Sequence, residues 1–241
     1  VKRLPGKVLT KILDKSLLEW QLERLYKCEE IKEIIIATTT EAVDDKIEQF
    51  CIKNKINYFR GSENDVLDRL AKTIEKYKIG IHVECFGDSP LPDPQVIDEM
   101  VEIFRNNTEY DYVSNSIKPT FPSGLEVNIY KGETLLEINK LLARNDPLRE
   151  HGGYNISRFP DKYSIYSHLA QNNMNFPQLS LEVDEERDLN FLKKIITYFS
   201  SQKIHNFSTE DIIRYVQDNP SLLKINRDVH RRWKELKGQK N

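Results

Sequence analysis

Residues 81–88 read IHVECFGD, and SPLPDPQVIDEMVEIFRNN follows at once over residues 89–107. The first piece is a short apolar run that stops on a glycine and a carboxylate. The second opens on Pro-rich turn chemistry and passes into 3.6-residue periodicity. Asp93 stands where an N-cap belongs, and Pro94 stands at the first helical position. Strand, turn, helix is the repeating unit of an α/β sheet. In such sheets ligands gather where the strands end at their carboxyl side. The stretch therefore predicts both a fold and the rim on which Asp88 sits.

Working outward, the same alternation recurs. KEIIIATT (32–39) reads as a buried strand and VDDKIEQFCIKN (43–54) as a helix. INYFRG (56–61) reads as a strand ending in a turn. NDVLDRLAKTIEKYK (64–78) is an amphipathic helix with Val66, Leu67, Leu70, Ile74 and Tyr77 on one side. YDYVSN (110–115) and LEVNIYK (125–131) are further strands, and GETLLEINKLLAR (132–144) is a helix. LSLEVDEERDLNFLKKIITYFSS (179–201) reads as a strand, an acidic turn and a long helix. The fold class is thus α/β, with a mainly parallel sheet, spanning residues 1–205. From residue 206 to residue 241 the pattern is helical only, beginning with STEDIIRYVQDNP, and reads as a C-terminal extension. A sheet of this kind ordinarily opens with a buried strand. None precedes KRLPGKVL (2–9), so the first strand is expected upstream of Val1.

Composition narrows the function. The chain has 241 residues, with 36 basic and 38 acidic side chains, a formal net charge of −2. No broad basic surface for nucleic acid follows from that balance. No apolar run approaches the ~20 residues of a membrane span. Cys28, Cys51 and Cys85 are odd in number and outside any metal spacing, which suits buried thiols in a reducing cytoplasm. Only nine glycines occur, and Gly6, Gly61, Gly87, Gly124, Gly152 and Gly153 fall at or beside the chemistry-bearing segments.

Each of those segments has two readings when taken alone. Arg3 and Lys7 flank a Pro-Gly turn, so they form either a polyphosphate grip or a solvated basic terminus. Asp88 either holds Mg²⁺ or caps the turn before Pro90. Asp184 is either a second metal ligand or a helix cap. Gly61, Ser62 and Asn64 make a polar turn that either reads a nucleotide or caps the next helix. His151 is either structural or an acceptor contact, and Arg149 with the Gly152–Gly153 turn beside it suits an anionic acceptor.

The order of the pieces is more specific than any one of them. RLPGKVL, ATTT, RGSENDVLDR, GDSPLPDPQVID, FPSGLEV, REH and VDEERDL follow one another along the chain. That succession resembles the cytidylyltransferase family, in particular its spore-coat-polysaccharide (SpsF-like) branch, over roughly residues 2–199. The resemblance implies a Rossmann-like nucleotidyltransferase fold and a CTP- and Mg²⁺-dependent transfer of CMP to an acceptor oxygen, with release of pyrophosphate. It implies Arg3, Lys7 and Asp88 as catalytic groups. Arg3, Lys7, Gly61, Ser62, Asn64 and Gly87 would bind nucleotide, and Asp88 and Asp184 would hold the metal. Glu126, Arg149, His151 and Tyr154 are the corresponding candidates for the acceptor side. It implies a cytoplasmic enzyme of glycan-precursor synthesis, with a homodimer as one arrangement found among relatives.

The sequence also departs from the branch. Ser89 and Glu84 stand where the branch often has Cys or Glu, and Arg, respectively. REHGGYNISRF (149–159) replaces a differently patterned segment. These changes cluster on the acceptor side. A glycosyltransferase using a nucleotide sugar and a non-catalytic nucleotide-binding module are the competing readings. The single acid of GDSP counts against the first, since such enzymes usually carry a paired acid. The retained Lys7, Asp88 and Asp184 count against the second.

Overall fold

The computed structural model describes residues 6–229. A 3-10 turn at Lys7–Leu9 leads into a hairpin of β1 (Lys11–Ile12) and β2 (Lys15–Ser16), then α1 (Leu17–Leu25). Ser16 and Glu19 close a reciprocal capping box at the start of α1. There follow β3 (Ile35–Thr39), α2 (Asp45–Asn54), β4 (Asn57–Gly61), α3 (Val66–Tyr77), β5 (Ile81–Cys85) and α4 (Pro94–Asn106). The chain continues through β6 (Tyr112–Ser114), β7 (Val127–Lys131), α5 (Gly132–Leu141), β8 (Ile165–Ser167), α6 (Glu186–Ser201) and α7 (Thr209–Asp218). Asp93 caps α4 as its spacing predicted, accepting from the Gln95 and Val96 amides.

Strands β3 and β4 pair in parallel. A second sheet has the order β5-β7-β6-β8. In it β7 runs antiparallel to both β5 and β6, while β8 is parallel to β6. Within that four-stranded sheet β7 alone runs against the other three strands. Alternation along β7 sends Val127 and Ile129 to one face and Asn128 and Tyr130 to the other. The first face meets α4, α6 and α7 through Ile97, Met100, Phe191, Ile195, Ile212 and Val216. The second meets α3 and α5 through Leu67, Leu70, Ile74, Leu135 and Ile138. Helices on both faces make a three-layer α/β arrangement. Because Ile212, Ile213 and Val216 sit in the main core, the start of the C-terminal extension packs on the α/β domain itself.

Three details differ from the sequence reading. Strand β3 is half-buried rather than fully buried, because its pairing runs to β4 alone among the described residues. The run at 179–183 is extended but carries only a bridge between Ser123 and Ser180. Its apolar residues Leu179, Leu181 and Val183 are nevertheless fully buried. Strand β8 has no counterpart in that reading, since three half-buried residues give too short a pattern to register.

The core also fixes an acid response. His82 on β5 packs edge-on against Tyr130 at 5.0 Å, and burial pushes its imidazole down to about 4. Burial also pushes His168 down. In the unfolded chain both take up a proton near pH ~6.5. Between that value and the folded one, the unfolded state binds more protons, so stability falls as pH drops through this window. Melting temperature should decline from near pH 7 to about pH 5, and the His82→Gln/His168→Gln double variant should show a flatter decline. An equal slope in wild type and variant would refute the assignment.

Candidate active site

A cleft of about 1050 Å³ opens between β3 and β5. Its polar rim includes Gly6, Lys7, Thr38, Thr39, Asp44, Glu63, Arg69, Glu84, Gly87, Asp88, Glu150, His151, Gly152 and Asp184. Residues from six separate stretches of chain therefore meet at the carboxyl ends of the strands, as the Asp88 stretch predicted.

Local backbone chemistry places the central three. Gly6 adopts φ 69°, a left-handed turn that costs an L side chain but not glycine, and it launches the 3-10 turn carrying Lys7. Asp88 follows the end of β5, and its carbonyl accepts from the Val183 amide at 2.8 Å. That bond docks the 183–184 segment against the β5 rim. The first turn of α6 is capped by Glu185 in a box with Asp188, whose carboxylate also accepts from the Asp184 amide. The helix cap is thus supplied by others, and the Asp184 carboxylate turns toward Lys7. Lys7 Nζ donates to the Val183 carbonyl at 2.6 Å, and lies 3.3 Å from Asp184 Oδ1 and 3.4 Å from Asp88 Oδ2. Three oxygens converge on one cation.

The remaining predicted residues divide. Gly87 and His151 line the cleft. Gly61 ends β4, and its α-carbon abuts the stem of Arg69, since a Cβ there would lie 2.8 Å from Arg69 Cγ. Ser62 and Asn64 are exposed and do not line the cleft; the Ser62 hydroxyl accepts from the Asp65 amide at 3.1 Å, a turn contact. Glu63, between them, does line it. Tyr154 packs edge-on against His151 at 6.0 Å, and Glu126 accepts from the Gly124 amide at 2.7 Å; neither lines the cleft. Arg3 lies outside the described residues.

Arg149 is a correction. It is 2% exposed, donating to Asp65 Oδ2 at 2.9 Å and to the Leu142 and Asn139 carbonyls at 3.2 and 3.3 Å. The Asn139 side-chain oxygen accepts from it as well. A guanidinium engaged on all sides inside the protein does not meet an acceptor. The anionic-acceptor expectation thereby loses its principal cation.

Sequence reasoning missed Arg69 and Asp44 as residues of the rim. Arg69 was visible inside RGSENDVLDR, but only the fold shows that it faces across to Glu84. Asp44 is positioned by the hydroxyls of Thr38 and Thr39, which donate to its carboxylate.

The sequence matches the cytidylyltransferase family profile over residues 2–232. The chain is a member of the cytidylyltransferase family. It is 30% identical over 223 residues to the spore coat polysaccharide biosynthesis protein SpsF of Bacillus subtilis (strain 168), with 90% of each protein covered. The structure of a cytidylyltransferase from Leptospira borgpetersenii serovar Hardjo-bovis superposes with a TM-score of 0.85 at 30% identity, covering 96% of this chain and 94% of that one. The fold is also that of CMP:2-keto-3-deoxy-manno-octonic acid synthetase complexed with CTP, with a TM-score of 0.61 at 15% identity, covering 81% and 93% of the two chains. This cytidylyltransferase is therefore an enzyme of the nucleotidyltransferase class. Among the described residues no helix is long and apolar enough to cross a membrane.

Proposed function

We propose that this enzyme transfers CMP from CTP to an oxygen of a sugar-like acceptor, releasing pyrophosphate, in the synthesis of an activated precursor for a surface polysaccharide. The observation that carries the proposal is the convergence of Lys7, Asp88 and Asp184 beside the left-handed Gly6 turn. Cations and free backbone amides at such a turn suit a triphosphate. The SpsF relative supports the polysaccharide setting. CTP is a cytoplasmic metabolite, and the free thiols Cys28, Cys51 and Cys85 suit that reducing compartment.

The donor set fits Mg²⁺. Two carboxylates and the Val183 carbonyl already surround one cation, the Lys7 ammonium, and oxygen-only donors with room for further ligands suit a hard divalent ion. Asp88 and Asp184 would hold it, and it would supply Lewis-acid neutralisation of phosphate charge. The chain's own groups do the rest. The four-carbon stem of Lys7 lets its ammonium turn from the carboxylates to the phosphates, where it offsets charge on the leaving pyrophosphate. Arg3 is assigned to the same triphosphate. Gly87 leaves the strand end open to close approach. Thr38, Thr39 and Asp44, across the cleft, are assigned to nucleotide contacts.

The lower cleft is apolar, lined by Ile34, Ile36, Val83 and Val101 between β3 and β5.

Calorimetric titration of CTP, UTP, ATP and GTP with Mg²⁺ tests the reaction class. CTP is expected to bind selectively. Lys7→Ala should weaken it about 10- to 100-fold, the worth of a charge-assisted contact. Binding of no nucleotide, or a Lys7→Ala affinity equal to wild type, would overturn the proposal.

A further inference from the structure

Glu84 is a buried carboxyl with half of its hydrogen-bonding capacity in use. It is 5% exposed, yet it lines the cleft. Oε2 accepts from the Gly153 amide at 2.8 Å, Asn128 Nδ2 at 3.2 Å and the Tyr130 hydroxyl at 3.3 Å. Oε1 accepts no hydrogen bond from any described residue, which leaves that oxygen available to the cleft that Glu84 lines. Burial pushes the carboxyl up from its ordinary range, against the pull of its three donors and of the Arg69 guanidinium.

The wall around Oε1 is built to leave it room. A Cβ on Gly152 would collide with Oε1 and with Leu70, and a Cβ on Gly153 would lie 2.7 Å from Oε2. The glycine pair is thus the condition for bringing the 150s loop against Glu84. Arg69 stands nearby on the same cleft, with Nη1 on the Ser62 carbonyl at 2.6 Å and its buried Nε without a hydrogen-bond partner. Glu63 and Glu150 add further acids to this rim, and Arg149 is withdrawn from it. An acceptor carboxylate here would face several carboxyls, whereas a hydroxyl satisfies Oε1 directly.

We propose that Glu84 is a specificity-determining residue of the acceptor subsite: Oε1 accepts a hydrogen bond from a hydroxyl of a neutral polyhydroxylated acceptor, and the acid-lined wall rejects a carboxylate at that position. The inference rests on the cytidylyl-transfer reading and supplies its acceptor class. A site built to hydrogen-bond a substrate hydroxyl discriminates strongly, because its buried polar group is otherwise left unpaired.

The test is nitrogen-edited NMR of the full chain, loaded with CTP and with Mg²⁺ omitted to prevent turnover. The Gly153 amide, which donates to Glu84, is the reporter. N-acetylglucosamine and mannose serve as neutral probes, and N-acetylneuraminate and 3-deoxy-manno-octulosonate as acid ones. Neutral sugars should shift the reporter saturably and acid sugars should not. Glu84→Gln keeps an inner oxygen for Gly153, Asn128 and Tyr130 but replaces the outer acceptor with a donor. It should weaken neutral-sugar binding about tenfold or more, with CTP affinity and melting temperature unchanged. Response to the acid sugars, silence toward the neutral ones, or undiminished binding in Glu84→Gln would each overturn the inference. Loss of CTP binding in the wild type would instead count against cytidylyl transfer, and the reporter's response to sugars alone would still decide the role of Glu84.

Discussion

Asp88→Ala should lower kcat about a thousandfold or more while leaving the protein folded. The structural half of this expectation follows from which atoms of Asp88 hold the fold. Its carbonyl accepts from the Val183 amide at 2.8 Å, and that backbone bond survives the substitution. Its carboxylate, 36% exposed, faces Lys7 at 3.4 Å, a half-solvated pair of little worth to stability. The catalytic half follows from charge. A cytidylyl transfer gathers the negative charges of a triphosphate, an attacking oxygen and a leaving pyrophosphate at one place. On the proposed metal site, removing one of the two carboxylates assigned to the neutralising cation would forfeit several kcal/mol of transition-state stabilisation, about 4 kcal/mol for a thousandfold. Pyrophosphate release under saturating CTP and Mg²⁺ measures the rate, and circular dichroism checks the fold. A folded Asp88→Ala enzyme with near-wild-type turnover would remove Asp88 from the metal site.

What the sequence disclosed here was chemistry tied to local backbone. Gly6, Gly87 and the Asp93–Pro94 cap were legible because turns and caps follow from residue type within a few positions. Lys7, Asp88 and Asp184 were legible as a set only through their order along the chain. Nothing local to Asp184 distinguishes a cap from a ligand, and the structure shows Glu185 and Asp188 taking the capping role. The acceptor side was least legible. Arg149 and His151 are two residues apart and looked alike as cationic candidates, yet one is sealed in the core and the other lines the cleft. Glu84 showed in the sequence only as an acid where the branch often has an arginine. The pleat of β5 turns it toward Asn128 and Tyr130, its cross-strand neighbours on β7. Which side chains of a helix or a turn face a strand from elsewhere in the chain is not written in any short window of sequence, which is why Arg69 and Asp44 were missed.

Arg149→Ala should destabilise the protein by about 3 kcal/mol, the lower end of the range for breaking a buried ion pair, because Asp65 keeps some solvent contact. The guanidinium ties three elements together. Its Nε holds Asp65, the N-cap of α3, whose other oxygen accepts from the Asp68 amide at 2.9 Å. Its Nη1 holds the Asn139 and Leu142 carbonyls at the end of α5. Alanine would leave the Asp65 carboxylate without this partner and those carbonyls with one donor fewer, beside a cavity the size of the lost side chain. In a chain of this length the loss corresponds to a melting temperature lower by about 6–12 °C. Arg149→Lys should recover only part of it, since a single ammonium cannot reach the carboxylate and both carbonyls as the planar fork does. An acceptor-binding Arg149 would give the opposite pattern: an unchanged melting temperature with a raised acceptor KM. Differential scanning calorimetry of the two variants, with acceptor KM measured below the melting range, separates the two roles. Because Asp65 also begins the helix that carries Arg69, loosening this pair should reach the cleft through α3, so that any kinetic change in Arg149→Ala ought to be matched by Asp65→Ala.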